Sequence, residues 1–237
     1  MPKAGCRRLA ITFNHLHQRR HMTVGKSFVA NVLRGAQREV LRARRDIRRR
    51  EPRMAPRNLI WPLDLTAVTN EPSPILGILD HGSRACLDLE ILPSKRSVTL
   101  LRALLETMER FGKPRIVRTD NEPVFTSGLF SWALALLGIR HHRTAPFAPW
   151  QNGRIERFFG TFKRALRSRP QLGEDGLVDQ LDLAEFRVWY NHLRPHQNLE
   201  GLTPAEAWRG KENNRRRTAR WVSAWSGALS GFYWPSG

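Results

Sequence analysis

Cysteine is nearly missing. The 237 residues contain two, Cys6 and Cys86, with no metal-ligand spacing and no framework. That excludes a disulfide scaffold and a cysteine zinc site, and it fits a reducing compartment. Long apolar runs are missing as well: nothing approaches the ~18 apolar residues of a membrane span, and the N-terminus has no signal-peptide pattern. A cytoplasmic, nucleoid-associated protein with no membrane partner is therefore expected. Acid is the third shortage, with 21 Asp and Glu against 40 Lys and Arg, a net charge of +19.

The missing acid is unevenly distributed. Residues 1–57 hold 16 basic and 3 acidic residues, residues 201–237 hold 6 and 2, and residues 58–200 hold 18 and 16. The two ends thus carry +13 and +4, and the middle only +2. Segregated Lys and Arg suit a polyanion, because neutralising phosphates releases counterions and gives sequence-independent affinity. DNA, rather than a small-molecule substrate, is the expected partner. Arginine predominates over lysine, which suits bidentate phosphate contact. A GC-rich genome would explain that preference but not the segregation.

Texture divides the chain into three. Residues 1–57 read as a basic helical N-terminal region. Thr23–Arg34 places Val24, Phe28, Val29 and Val32 at helical spacing with Gly35 as a stop, and Leu9–Phe13 can supply the partner helix of a partial helix-turn-helix. The arginine-dense stretch that follows, with Pro52 and Pro56, reads as a helix running into a linker. Residues 58–210 read as a balanced globular core. Residues 211–237 form a basic, then Trp/Gly/Ser-rich tail without a clear period, either disordered or docked through Trp221, Trp225 and Trp234.

Within the core, residues 58–66, 75–79 and 85–92 are short apolar runs, the last two flanking the turn signal Asp80-His81-Gly82-Ser83. They predict three antiparallel strands. Ser97–Phe111 has helical period and ends at Gly112 and Pro114. A strand at Arg115–Thr119, a helix at Ser127–Leu137, a strand near Ile139–Thr144 and a long helix at Gln151–Ser168 follow. In that last helix Ile155, Phe158, Phe159, Phe162 and Leu166 form the apolar stripe, and Glu156, Gly160, Lys163 and Arg167 a neighbouring one. A further helix at Leu177–Asn191 precedes a short one with Thr203 as N-cap and Pro204 first. Pro62 is awkward inside a strand, since it lacks a ladder donor, and predicts a bulge or irregularity there. Asp80 and Asp88 read as a turn residue and a solvent-facing strand residue. Trp150 reads as a loop anchor or a base-stacking ring, and Tyr190, Arg194 and His196 as structural. The order of elements is that of an α/β, ribonuclease-H-like fold: a five-stranded mixed sheet flanked by helices, with the basic helical region as an extension.

Three carboxylates stand out. Asp64 lies in the first apolar run, Asp120 follows the fourth strand, and Glu156 lies in the long helix, 35 residues (121–155) separating it from Asp120. Acids on two strands and a flanking helix can converge at one sheet edge. A hard cation such as Mg²⁺ needs only two or three carboxylates plus substrate phosphates, and two such ions serve the attacking and leaving oxygens of a phosphodiester. His141 and His142 are adjacent in a strand, point to opposite faces, and do not chelate together.

The stretches Trp61-Pro62-Leu63-Asp64-Leu65-Thr66, Arg118-Thr119-Asp120-Asn121-Glu122-Pro123-Val124-Phe125, Gln151 through Lys163, and Tyr190 through Leu199 with Leu202 through Trp208 resemble the integrase-type core of DDE insertion-sequence transposases, relatives of the retroviral integrases. The resemblance implies a metal triad of Asp64, Asp120 and Glu156 holding two Mg²⁺ or Mn²⁺ ions. It places Asn121, Gln151 and Asn152 around the site, in reach of DNA, and Lys163 on a DNA-facing helix. The residues themselves offer Arg154, Arg157, Lys163, Arg164 and Arg167 as a DNA face, or as an ordinary solvated basic face. The resemblance implies end cleavage and strand transfer, with water and then a DNA 3′-hydroxyl as nucleophiles, by a homo-oligomer on transposon ends and target DNA. The family carries a fuller N-terminal DNA-binding region, so a truncated copy or one product of a split frame is also expected. Alternatives on the same fold are a DNA-binding remnant and a structure-selective nuclease.

Overall fold

The apolar run at the start of the core folds as β1 (Ile60–Thr66), and its alternation positions the site. Trp61, Leu63 and Leu65 pack into one core. Successive strand residues face opposite sides, so Pro62, Asp64 and Thr66 face the other. The computed structural model describes residues 5–37, 39, 41–42, 55–68, 73–145, 152–169, 178–210 and 218–233. They fall into two units, Met1–Arg53 and Met54–Gly237.

In the first unit, α1 (Cys6–Leu16) and α2 (Lys26–Gly35) are joined through a 3₁₀ turn at Gln18–Arg20. The Asn14 side chain clasps the two helices, accepting from the Val24 N–H at 2.7 Å and donating to the Val24 carbonyl at 3.2 Å.

The second unit is built on β1, β2 (Ile75–Leu79), β3 (Cys86–Ile91), β4 (Ile116–Thr119) and β5 (Arg140–Arg143), in the spatial order β3-β2-β1-β4-β5. The first three are antiparallel neighbours, while β4 and β5 add in parallel. This is the expected five-stranded mixed sheet. Helices cover both faces. On one, α3 (Ser97–Phe111), the short α4 (Pro123–Thr126) and α5 (Gly128–Leu136) bury Leu100, Leu104, Phe125, Phe130 and Leu134 against Trp61, Leu63 and Val117. On the other, α6 (Gly153–Arg167) and α7 (Gln180–His192) bury Ile155, Phe158, Phe159, Phe162, Leu183 and Phe186 against Ile75, Leu79 and Leu89. The phenylalanines of α6 are core, as its period predicts. A capping box between Thr203 and Glu206 starts α8 (Pro204–Arg209), with Pro204 at its first turn.

Two expectations change. Pro62 causes no bulge in β1: residues 60–62 pair with β4 and residues 63–66 with β2, so the missing donor stands where one pairing hands over to the other. The register shift lies between β2 and β3, at Ile78/Leu79. The tail does have regular structure over 218–233. There β6 (Arg220–Ala224) and β7 (Leu229–Tyr233) form a hairpin against α7. Trp225 is buried and donates to Glu185 Oε2 at 2.6 Å, and Trp189 donates to the Ser230 carbonyl at 2.9 Å. Trp221 instead lies exposed against Phe232; Trp150 and Trp234 lie outside the described residues.

Candidate active site

Asp64 sits in the middle of β1 on the α6 face, opposite Gly77 of β2. Gly77 lets the helix approach: a Cβ there would stand 2.7 Å from the tip of the Phe159 ring. The segment of α6 that carries Phe159, and Glu156 one turn earlier, therefore lies against the sheet near the level of Asp64. Asp120 follows the last residue of β4. The parallel register ends with Pro62 beside Arg118, and Asp64 and Asp120 each lie two residues further along, close enough for Asp120 to act on the Asp64 carboxyl through its charge. Asp64 accepts from the Leu65 N–H and Asp120 from the Glu122 N–H, each at 2.9 Å.

Charge links these groups. The Asp64 carboxyl is pushed up from its ordinary 3.8 to about 7, chiefly by burial and then by the neighbouring Asp120. The Leu65 N–H favours the anion, but Glu122 and Glu156 oppose it. Four acids thus share one field. Glu122 is the one that sequence reasoning left without a role, because it reads as the residue before Pro123 that opens α4; it also meets Lys95 at 3.9 Å. Among the described residues no three His, Cys, Asp or Glu side chains form a ready-made metal shell. Proximity of mutually repelling carboxylates is what the fold provides. Their donors are all oxygen, which fits a hard divalent cation such as Mg²⁺ or Mn²⁺.

The surrounding residues separate. The Asn121 Nδ2 donates to the Thr144 carbonyl at 2.9 Å, tying the segment after β4 to the end of β5. Asn152 is buried rather than DNA-facing, and its side chain does not cap α6. Its backbone (φ −103°, ψ 2°) is outside the extended region from which an N-cap side chain reaches back. Gln151 lies outside the described residues. Arg154 is not on an outer face either: half-buried, its guanidinium donates to the His81 carbonyl, and burial with the nearby Arg84 and Arg118 lowers it to about 10. Arg157, Arg164 and Arg167 are exposed and Lys163 is half-buried along α6.

Of the two other aspartates, Asp80 is the turn residue that the sequence predicts, and Asp88 departs from expectation. Asp80 is fully buried, holding the β2–β3 turn through the Ser83 N–H and hydroxyl at 2.7 Å and the Asn58 N–H at 2.9 Å. Asp88 is buried between Arg187 at 3.1 Å and Arg110 at 3.3 Å, with Thr107 donating at 3.1 Å. Partners on α3 and α7 enclose it, so it does not face solvent. The two histidines of β5 are engaged separately, His141 with Thr119 and His142 with Arg118.

Residues 56–149 and 137–204 match two family models, each described as an integrase core domain. The chain is 33% identical over 132 residues to the insertion element IS476 39.2 kDa protein of Xanthomonas euvesicatoria, covering 55% of this chain and 38% of that one. It is 29% identical over 153 residues to the insertion element IS407 31.7 kDa protein of Burkholderia multivorans, covering 63% and 54%. The chain thus spans about half or less of the length of these relatives. The HTLV-2 integrase catalytic core, solved with magnesium in a trimeric form, shares the fold with a TM-score of 0.52 at 24% identity, over 63% of this chain and 95% of that one. No described helix is long and apolar enough to cross a membrane. Residues 56–204 of this chain belong to the integrase core family.

Proposed function

We propose that this chain is a transposase that cleaves DNA at transposon ends and joins the freed strands to target DNA, through a divalent-cation site of Asp64, Asp120 and Glu156. The observation that carries the reading is the shared field of those acids where β1, the end of β4 and α6 meet. Coupled, perturbed carboxylates mark functional sites more often than incidental surface acids do. When bound, two Mg²⁺ or Mn²⁺ ions supply Lewis-acid stabilisation to the attacking and leaving oxygens of the phosphodiester.

The chain's own residues do the rest. With its carboxyl at about 7, Asp64 holds a proton part of the time at neutral pH, so cation binding releases that proton. Asn121 braces the segment that carries Asp120. The buried Phe158, Phe159 and Phe162 fix α6, and with it Glu156, against the sheet. Lys163, Arg164 and Arg167 offer phosphate contacts along α6, and the basic residues of 1–57 add sequence-independent affinity. Water and then a DNA 3′-hydroxyl act as nucleophiles, and the active species is a homo-oligomer on DNA.

The full chain with Mg²⁺ or Mn²⁺ and end-bearing DNA is expected to nick and join strands, and Asp120→Asn to bind the same DNA without doing either. Full activity in Asp120→Asn removes the metal assignment. Hydrolysis of branched DNA without joining identifies a nuclease instead, and binding without chemistry under either metal identifies a remnant.

A further inference from the structure

A cavity of about 350 Å³ lies beneath Pro62, between α6 and the segment that follows α7. Four arginines line it, from three separate places in the fold: Arg84 in the β2–β3 turn, Arg154 and Arg157 on α6, and Arg194 just past α7; Arg154 also donates to the His81 carbonyl and Arg194 meets His196. None of the four forms an ion pair with a carboxylate among the described residues. Asp80, the acid in the wall, is already engaged by Ser83 and Asn58.

Arg84 carries the sharpest sign of an unmet need. Its Nε is buried and has no hydrogen-bond partner among the described residues. Its backbone is left-handed, with φ at 65°, a conformation that a long side chain adopts only where the surroundings impose it. His196, also in the wall, is lowered to about 3 by burial and then by Arg194 and Arg84, so it adds no charge of its own. Burying cations together is costly unless a counter-charge joins them. Planar guanidinium forks match phosphate oxygens, two donors at a time.

The place of the cavity relative to the acids suggests which phosphate. Pro62 and Asp64 share one face of β1 and lie two residues apart, about 7 Å along the strand. That is about two nucleotides of rise in B-form DNA. On α6, Arg157 follows Glu156 directly. We propose that Arg84, Arg154, Arg157 and Arg194 form a pocket for a single backbone phosphate of the DNA strand, about two nucleotides from the linkage that lies at Asp64, Asp120 and Glu156. This rests on the DNA reading of the acids and adds a positioning site that they do not supply.

The test compares the full chain with Arg84→Gln/Arg194→Gln and, separately, with Arg157→Gln, an exposed helix position whose change leaves the fold intact. Thermal unfolding is measured in inorganic phosphate against chloride at matched ionic strength. DNA affinity is measured by fluorescence anisotropy in EDTA across a salt series. Phosphate is expected to raise the melting temperature of the wild type more than that of either variant. The variants are expected to bind DNA about tenfold more weakly, with a salt slope shallower by about 0.9. Equal phosphate response and equal DNA affinity in all three proteins overturn the proposal. Loss of the phosphate response with unchanged DNA affinity also overturns it, since the pocket then serves free phosphate. Strand cleavage by the wild type together with unaltered binding by the variants removes the pocket alone. Absence of cleavage with the binding losses as expected removes the reading of the acids and keeps the pocket.

Discussion

Asp64→Asn in the metal-free chain is expected to raise stability above neutral pH while removing activity. Folding lifts the Asp64 carboxyl from 3.8 to about 7. A group raised in this way contributes its full stability below its unfolded value and loses it as pH rises through its folded value. The native state therefore loses about 1.4 kcal/mol per pH unit between roughly pH 4 and pH 7, to a ceiling of roughly 4 kcal/mol. Asparagine keeps the shape and removes the charge, but its amide is also partly desolvated, leaving a net gain of about 2 kcal/mol at pH 8. For a chain of this size that is a rise of roughly 4–8 °C in melting temperature. The assay is thermal unfolding of both proteins in EDTA from pH 5 to pH 8.5. The gap is expected to widen with pH up to about 7 and then stay level. Millimolar Mg²⁺ at pH 8 should raise the wild type more than the variant, because the variant lacks one of the proposed carboxylate ligands. A variant less stable than wild type at pH 8, or a gap that does not change between pH 5 and pH 7, refutes the reasoning.

Gly77→Ala is expected to cost about 1–3 kcal/mol, read by urea unfolding, because its new methyl meets the buried Phe159 ring; strand joining should fall further than folding, since the helix bearing Glu156 is displaced. Asp88→Ala should destabilise by about 1–3 kcal/mol, leaving Thr107 and the two arginines without their shared acceptor, with the partial exposure of Arg110 and Arg187 limiting the loss. Trp225→Ala should cost about 3 kcal/mol and expose the hairpin to limited proteolysis, with cleavage mapped by mass spectrometry between residues 218 and 233.

Local pattern accounts for most of the elements. The alternation of Trp61, Leu63 and Leu65 and the helical period of Phe158, Phe159 and Phe162 are properties of neighbours in the chain, and both packed as their spacing predicts. The tail defeated the same reasoning. The hairpin at 220–233 has little alternation of its own and is held by Trp225 reaching Glu185, forty residues earlier, and by the Trp189 side chain. Asp88 misled for a related reason, and the partners of Asp80 were equally hidden. A turn signal and a strand position describe the backbone, and neither reveals the Asn58 N–H or the arginines of α3 and α7 that enclose them.

The acids divide along the same line. Composition marked a balanced core at the middle of a basic chain, and the resemblance of its motifs to a family singled out Asp64, Asp120 and Glu156, because a motif is written in consecutive residues. Folding added what no window of sequence contains: the pairing of β1 with β4 that brings Asp120 into the field of Asp64, and Glu122 as a fourth charge there. It also turned Arg154 inward and gathered Arg84 and Arg194 beside it, from positions 110 residues apart. Burial and electrostatic coupling depend on distance in space, and that distance is set only when the sheet and its helices close.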